Sequence, residues 1–202
     1  MVTALNKKII VSLLFLYLST SSIANAYTEI TDTDRKKAIN GEIIIKNAKT
    51  NDGLKGLQAI FSVNASKKDI WETLIDYENF QEIFSDIERM RLVDHDEKGA
   101  TVEFWANAVI KKIHYVLYRS YNIPGHKLSW RNISGDIESI EGSWTILDTD
   151  DSKLKILVYD SYVKVGMLLV PEWVVRLGAM SKAKSMAENL RNWIEQHKDS
   201  SR

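Results

Sequence analysis

The chain has 202 residues, with 27 basic and 27 acidic side chains and no cysteine. The missing thiols exclude disulfides, cysteine-bound iron–sulfur clusters and cysteine nucleophiles. Because the charges balance and no basic stretch stands out, nucleic acid is not expected as a partner.

Residues 1–26 follow the three-part pattern of a secretory signal peptide. Two lysines form a short basic start, residues 9–18 (IIVSLLFLYL) are apolar, and residues 24–26 are an A-x-A cleavage site. The apolar run is about half of the ~20 residues that cross a bilayer, which argues against an uncleaved anchor. We therefore expect signal-peptide cleavage at Ala26 and a periplasmic or secreted domain. The lack of cysteine favours the periplasm of a Gram-negative cell.

The mature chain starts with a polar leader, residues 27–40. Residues 41–49 (GEIIIKNAK) have the composition of a strand, and residues 54–63 form the returning strand. Asn51-Asp52-Gly53 lies between them, and Asp-Gly between apolar runs favours a β-hairpin.

The apolar spacing then becomes helical. Ser66 and Asp69 resemble a capping box, in which the first side chain and the fourth cap each other's backbone. Apolar residues follow over 70–77 and again over 80–84, which predicts two short helices. Ile70 and Leu74 lie on the face of the first helix that we expect in the core.

From residue 88 to residue 165, segments of strand length alternate with turn signals. These turns fall at 94–99, 124–125, 134–136 and 148–152. Short strands joined by local turns predict an antiparallel meander of about five strands.

A long helix is predicted from Pro171 to Gln196. Proline is tolerated at the first helical position. Apolar residues recur every three or four positions and form one stripe, which must pack on the meander. These residues are Trp173, Leu177, Met180, Ala183, Ala187, Leu190 and Ile194.

Three segments of the chain resemble the START-like (helix-grip, Bet v 1-like) superfamily. They are VNASKKDIWETLIDYENFQEIF at 63–84, IEGSWTIL at 140–147 and PEWVVRLGAMSKAKSMAENLRNWIE at 171–195. The likeness is closest to the branch of polyketide cyclase/dehydrase and coenzyme-Q-binding proteins, and it covers roughly residues 53–196.

The resemblance implies an α+β helix-grip fold for residues 41–197, followed by a polar tail at 198–202. A curved antiparallel sheet would wrap around the long C-terminal helix, with two short helices after the early strands. The family implies an apolar cavity between sheet and helix for lipids, quinones, sterols or polyketides. Many members bind or carry such molecules without catalysis. Most are cytoplasmic or mitochondrial, and the predicted signal peptide departs from that habit.

Few residues suggest catalysis or metal binding. The chain lacks a G-x-S-x-G elbow and a glycine-rich phosphate loop, and its four histidines show no metal-ligand spacing. Asp148, Asp150 and Asp151 lack the glycine and distal glutamate of a calcium loop. We therefore predict no catalytic residue, no cofactor and no metal, and an apolar small molecule as the partner.

The alternation of apolar and polar residues along the strands indicates which face of the sheet lines the predicted cavity. Ile140, Gly142, Trp144 and Ile146 share one apolar face, so Trp144 is expected to point inward. Gly142 would leave room for a ligand or for the closing helix. Across the next turn, we place the even-numbered residues from Leu154 to Tyr162 on the same face. The candidate ligand-binding residues are Trp130, Gly142, Trp144, Val158, Asp160, Tyr162, Met167, Leu168, Leu169, Leu177 and Met180.

Two orientations stay open at this level. Over residues 102–111, either the face with Val102, Phe104 and Ala106 or the face with Glu103 and Trp105 points inward. Arg119 is either a surface cation on a strand or an inward-facing group.

Residues 166–170 (GMLLV) join the last strand to the long helix and are wholly apolar. Connections normally run over the surface and are polar. The segment therefore either folds inward as core or covers the mouth of the cavity and makes transient contact with a membrane, with Gly166 as hinge.

Three functions fit the sequence. The preferred one is an exported binder or carrier of an apolar small molecule. The second is a cyclase- or dehydratase-type enzyme in which Asp160 or Arg119 moves protons. The third is an interaction module whose core is filled by its own side chains. The sequence identifies neither the ligand nor the oligomeric state.

Overall fold

The computed structural model describes residues 29–107, 112–164 and 172–198. Its elements in chain order are α1 (Asp32–Ile39), β1 (Ile44–Lys49), β2 (Lys55–Asn64), α2 (Lys67–Leu74), α3 (Phe80–Ile83), β3 (Ile87–Asp96), β4 (Gly99–Asn107), β5 (Lys112–Ile123), β6 (Lys127–Gly135), β7 (Ser139–Asp148), β8 (Leu154–Lys164) and α4 (Glu172–His197).

The strands among these residues form one antiparallel sheet of eight, in the order β1-β2-β8-β7-β6-β5-β4-β3. The sheet is curved, and α4 packs on β1 and β2 and on α2 and α3. The predicted α+β helix-grip fold is confirmed. We call the face that bears α4, Phe61 and Trp144 the concave face and the opposite one the convex face.

The first hairpin forms where the Asp-Gly signal predicts it. β1 and β2 pair from Ile44↔Ile60 to Lys49↔Lys55. Gly53 has a φ of +94°, a left-handed conformation that favours glycine. The hairpin prediction is confirmed.

The capping box at the start of α2 is also confirmed. The backbone N–H of Asp69 donates to Ser66 Oγ over 3.1 Å, and the backbone N–H of Ser66 donates to Asp69 Oδ2 over 3.2 Å. Ile70 and Leu74 are fully buried, as predicted. The short α3 follows, and together the two helices cover part of the concave face.

The polar leader contains α1, which the sequence analysis did not predict. Thr31 and Asp34 form a capping box at its start. Ala38 is fully buried, and its carbonyl accepts a hydrogen bond of 2.7 Å from Ser62 Oγ. Lys46 on β1 pairs with Asp34 at 2.8 Å. Helix α1 thereby covers a small second core on the convex face, formed by Ala38, Ile60, Ile156 and Val158.

The C-terminal part of α4 packs as its apolar spacing predicts. Ala183, Ala187, Leu190 and Ile194 are buried. Leu177 is 58% exposed, so the prediction that it packs on the sheet with the rest of this stripe is wrong. Among the stripe residues whose burial the structure describes, Leu177 is exposed, Met180 is half-buried and full burial starts at Ala183.

Candidate ligand-binding site

Strand pairing fixes which side chains share the concave face. Trp144 on β7 lies opposite Tyr159 on β8, and Gly142 lies opposite Ser161. Trp130 on β6 lies opposite Gly142, and Arg119 on β5 lies opposite Trp130. Trp144 is buried and packs edge-on against Phe61, so its predicted inward orientation is confirmed.

The same pairing overturns the predicted orientation of β8. Asp148 lies opposite Lys155, so even-numbered residues of β7 face odd-numbered residues of β8. Val158, Asp160 and Tyr162 therefore lie on the convex face, and the prediction that they share the face of Trp144 is wrong. A register shift of one residue moves every side chain to the other face. Both faces of β8 are largely buried, so alternation along the strand could not select one.

Val158, Asp160 and Tyr162 each pack against other residues on the convex face. Val158 belongs to the second core beneath α1. Asp160 is 1% exposed and accepts a 2.9 Å hydrogen bond from Gln58 Nε2. Burial raises the pKa of Asp160 to about 6, against the lowering effects of Gln58 and of nearby lysines. The ring of Tyr162 lies where a side chain at Gly56 would be.

The space above Gly142 is filled by Trp130. A Cβ atom at position 142 would lie 2.4 Å from Cζ2 of the Trp130 indole. The indole stacks on Tyr159, with ring centroids 5.5 Å apart. The expectation that Gly142 leaves room for a ligand or for α4 is wrong, because the neighbouring tryptophan occupies that room.

Aromatic rings form two groups on the inner side of the sheet. Contacts of 4.3–6.3 Å between ring centroids hold each group together. The first group is Phe61, Trp130, Trp144 and Tyr159, and the second is Tyr77, Phe80, Phe84, Phe104 and Tyr115.

The structure shows which face of β4 points inward, a choice that the sequence left open. Val102, Phe104 and Ala106 are buried on the concave face. Glu103 lies on the convex face, where it accepts hydrogen bonds from Arg91 Nε at 2.7 Å and pairs with His114 Nε2 at 2.8 Å. The polar side chains of this strand therefore lie away from the candidate site.

Arg119 is the polar residue of the candidate site whose orientation the sequence left undecided. It faces inward and is only 3% exposed. Its Nη2 donates to the carbonyl of Leu74 at 3.0 Å, and its guanidinium carbon lies 5.1 Å and 5.2 Å from the ring centroids of Tyr77 and Phe80. Nη1 is buried and has no hydrogen-bond partner in the described part of the chain. Arg119 lies opposite Ala100, a small inward residue of β4, and this pairing is known only from the fold.

Two tyrosine hydroxyls lie near this arginine. Tyr121 follows Arg119 by two positions on β5, so both face the same side. Its hydroxyl lies 3.0 Å from that of Tyr77, and its ring packs against Trp71. Burial and the bond to Tyr77 raise the pKa of Tyr121, which keeps the hydroxyl protonated and able to donate.

Partly accessible apolar side chains gather at one end of the concave face. Ile87 and Ile113 flank Ala106, and Ile140 lies opposite Val163. All four pack against the main core while keeping accessible surface. The antiparallel register brings the start of β3, β5 and β7 and the end of β8 to this same end of the sheet. An apolar rim therefore lies at the opposite end from Tyr121.

The remaining candidate residues lie on α4 or outside the described residues. Met180 is half-buried on α4. Met167, Leu168 and Leu169 lie outside the described residues, as does the whole segment 166–170. Its role as gate or core therefore stays a prediction.

Within the described ranges, no group of three histidine, cysteine or acidic side chains could hold a metal ion. Among the helices that the structure describes, none has the length and apolar character of a membrane span.

Comparison with known proteins identifies the family. The profile of "Polyketide cyclase / dehydrase and lipid transport" matches residues 63–191, more than half of the chain. The protein therefore belongs to this family, and its fold is that of the START-like superfamily, as the sequence motifs suggested. A search of curated protein sequences gave no match.

Solved structures share the fold at low sequence identity. A STAR-related lipid transfer protein from Xanthomonas axonopodis is 15% identical, with a TM-score of 0.62 over 75% of this chain and 93% of that one. A START superfamily protein from Mycobacterium smegmatis is 17% identical, with a TM-score of 0.61 over 70% and 97% of the two chains. The Zhui aromatase/cyclase from a Streptomyces species is 15% identical, with a TM-score of 0.57 over 76% and 96%.

Proposed function

We propose that the protein is an exported binder or carrier of an apolar small molecule, held between the concave face and α4. The observation that carries this proposal is the apolar rim formed by Ile87, Ile113, Ile140 and Val163. These side chains belong to the inner face of the sheet and still keep accessible surface. An apolar ligand that enters there would remove this surface from water, which favours binding.

The family and the aromatic groups support the same function. Family membership directs attention to hydrophobic ligands such as lipids or polyketides. Trp130, Trp144 and Tyr159 lie deeper on the same face, where their rings pack against one another. Aromatic walls of this kind bind an apolar body and orient its polar end.

Export is the second part of the proposal. It rests on the basic start, the apolar run and the A-x-A site of residues 1–26. Edman sequencing of the protein from a periplasmic fraction should start at Tyr27. A product that still begins at Met1 would contradict cleavage.

Contact with a membrane is the third part. Residues 166–170 follow β8, whose last residues lie at the apolar rim. We propose that this segment covers the rim and meets a lipid surface during transfer. The double substitution Leu168→Asp/Leu169→Asp should leave the fold intact and slow transfer of ligand to liposomes. Unchanged transfer rates in the folded variant would contradict the proposal.

The geometry separates the two residues that the sequence analysis named for its alternative, a cyclase- or dehydratase-type enzyme. Joint proton transfer by two groups needs both of them within reach of the same substrate atom. Asp160 lies on the convex face and Arg119 on the concave face, so the two cannot act on one substrate atom. No carboxylate within the described ranges forms an ion pair with Arg119.

Binding can be tested with Nile red, a neutral apolar fluorophore. We expect saturable binding by the purified protein and displacement by apolar competitors. Ile113→Arg places a charge in the rim and should weaken binding at least about tenfold. The bound probe would cover the charged group and remove it from water, which is costly.

Ile133→Arg is the matched control. Ile133 is 49% exposed and belongs to neither core cluster, so this variant should bind Nile red as the wild type does. Equal weakening by both substitutions would show that charge alone, and not the rim, affects binding. Failure of the wild-type protein to bind any apolar probe would contradict the proposed function.

A further inference from the structure

The positive charge of Arg119 is buried and incompletely satisfied. A buried charge is normally paired and fully hydrogen-bonded, because removing it from water is costly. Here one nitrogen, Nη2, donates to the carbonyl of Leu74, while Nη1 has no partner in the described part of the chain. No acidic side chain in that part forms an ion pair with it.

The surroundings of the guanidinium hold it in one orientation. Leu74 is the last residue of α2, so its carbonyl lies at the negative end of a helix. The rings of Tyr77 and Phe80 lie close to the guanidinium carbon, within the range of cation–π contacts. These contacts fix the arginine without neutralising its charge.

A second donor lies on the same side. The hydroxyls of Tyr77 and Tyr121 share one hydrogen bond of 3.0 Å. Whichever hydroxyl accepts that bond keeps its own proton for another acceptor. Among the described residues, the neighbourhood of Arg119 therefore supplies an N–H donor on Nη1 without an acceptor, and a tyrosine hydroxyl that can donate one more hydrogen bond.

We propose that Arg119, with Tyr77 and Tyr121, forms an anion subsite that binds the carboxylate of an acidic apolar ligand. This inference rests on the proposed function, since the apolar body of the ligand lies along the concave face towards the rim. The ligand enters through the rim with its carboxylate leading and its tail last.

A carboxylate fits this subsite better than a phosphate does. The free donors are the N–H groups of one nitrogen and a single tyrosine hydroxyl. A carboxylate carries one negative charge and two acceptor oxygens, which these donors can satisfy. A phosphate group has three strong acceptor oxygens and nearly two charges, and it would remain partly unpaired.

The test compares each acid with its own methyl ester, so that the apolar body stays the same. The probes are palmitic acid with methyl palmitate, and pyrenebutyric acid with its methyl ester. Affinities are measured at neutral pH on the delipidated protein, by Nile red displacement. We expect the acid of at least one pair to bind about ten- to a hundredfold more tightly than its ester, the range of a charge-assisted hydrogen bond.

Variants assign the preference to the subsite. Arg119→Met should bring the acid and the ester to equal affinity, and Tyr121→Phe should reduce the preference while keeping the ring in place. Arg131→Met is the matched control, because Arg131 lies on the convex face over Tyr118. That variant should keep the preference of the wild type.

The outcomes separate this inference from the proposed function. Equal affinity of the wild type for acid and ester in both pairs overturns the anion subsite and leaves the apolar site intact. If Nile red, acids and esters all fail to bind, both proposals fall. If Arg119→Met does not fold, the wild type and Tyr121→Phe still test the subsite. The ratio of their affinities for the acid and for its ester shows whether the anion subsite exists.

Discussion

The indole of Trp130 lies in the space that a side chain at Gly142 would need, so the two residues fit together across β6 and β7. A Cβ atom at position 142 would also lie 2.2 Å from the backbone carbonyl oxygen of Asp160. Because one obstacle is backbone, rotation of the indole alone cannot relieve the clash. The glycine is therefore required by packing within the sheet.

Gly142→Val should destabilise the fold by about 1–3 kcal/mol or more, the range for forced overpacking. Chemical denaturation measures the loss. Ser143→Ala is the adjacent control: its hydroxyl is buried without a hydrogen-bond partner in the described residues, so its removal should cost nothing. A wild-type midpoint for Gly142→Val would contradict the packing of Trp130.

Trp144→Ala should be severely destabilising, by about 3–5 kcal/mol, through lost burial and the cavity left behind. The side chain contacts Phe61 and Tyr159 in the main core. Trp105→Ala removes a tryptophan from the convex face, where it is only partly buried, and should cost clearly less. Similar losses in the two variants would place Trp144 outside the core.

Asp160 should make stability depend on pH. Its pKa in the folded protein is about 6, above the ordinary value of 3.8, so the folded state holds the proton more tightly than the unfolded state does. Protonated Asp160 therefore contributes stability that is fully present below about pH 4 and is lost as the pH rises through 6. The free energy of unfolding should fall by about 3 kcal/mol over this range.

Asp160→Asn should remove this dependence and keep the contact with Gln58 through a carboxamide. The free energies of unfolding of wild type and variant should therefore diverge between pH 4 and pH 7, with the variant more stable at pH 7. Lys46 and Lys127 are the basic groups that act on Asp160 and lower its pKa. If the free energies of unfolding of the two proteins changed in parallel with pH, Asp160 would not be the source of the pH dependence.

Arg191 connects α4 to two other parts of the fold. Its Nε donates to the carbonyl of Ser62 at 2.9 Å, and its Nη1 donates to the carbonyl of Gly41 at 3.1 Å. Arg191→Met keeps an apolar stem beside Phe61 and loses both bonds, which should cost about 1–3 kcal/mol.

Hydrogen exchange shows which part of the fold loses stability in Arg191→Met. Amides in the C-terminal half of α4 should exchange faster in Arg191→Met, while those of β4 and β5 stay close to wild type at early times. Lys184→Met, at an exposed position of the same helix, should leave exchange unchanged. Identical protection in wild type and Arg191→Met would mean that packing alone holds α4.

The order of the elements was predictable because local signals mark their ends. Asp52-Gly53 sets the first hairpin, and the capping box of Ser66 and Asp69 starts α2. The same pattern occurs at Thr31 and Asp34, where α1 begins. That helix was missed because its segment is polar and buries little more than Ala38.

The faces of the central strand were not predictable from alternation. The inward side chains of β8 belong to the main core and several of its outward ones to the second core beneath α1, so apolar residues occupy both faces. Only pairing with β7 distinguishes Tyr159, which faces inward, from Asp160, which does not. The burial of Arg119 depends on Leu74 and Tyr77, which are distant in sequence and reach it only through the fold.

Mass spectrometry of the protein purified from its own host tests the central claim most directly. Native spectra should show the mature chain with a non-covalent adduct, and solvent extraction should release an apolar molecule that carries an acidic group. The Ile113→Arg variant, purified in parallel, should carry clearly less of the adduct. A wild-type protein that is consistently free of any small molecule, and that fails to take up apolar probes afterwards, would contradict a ligand-binding function.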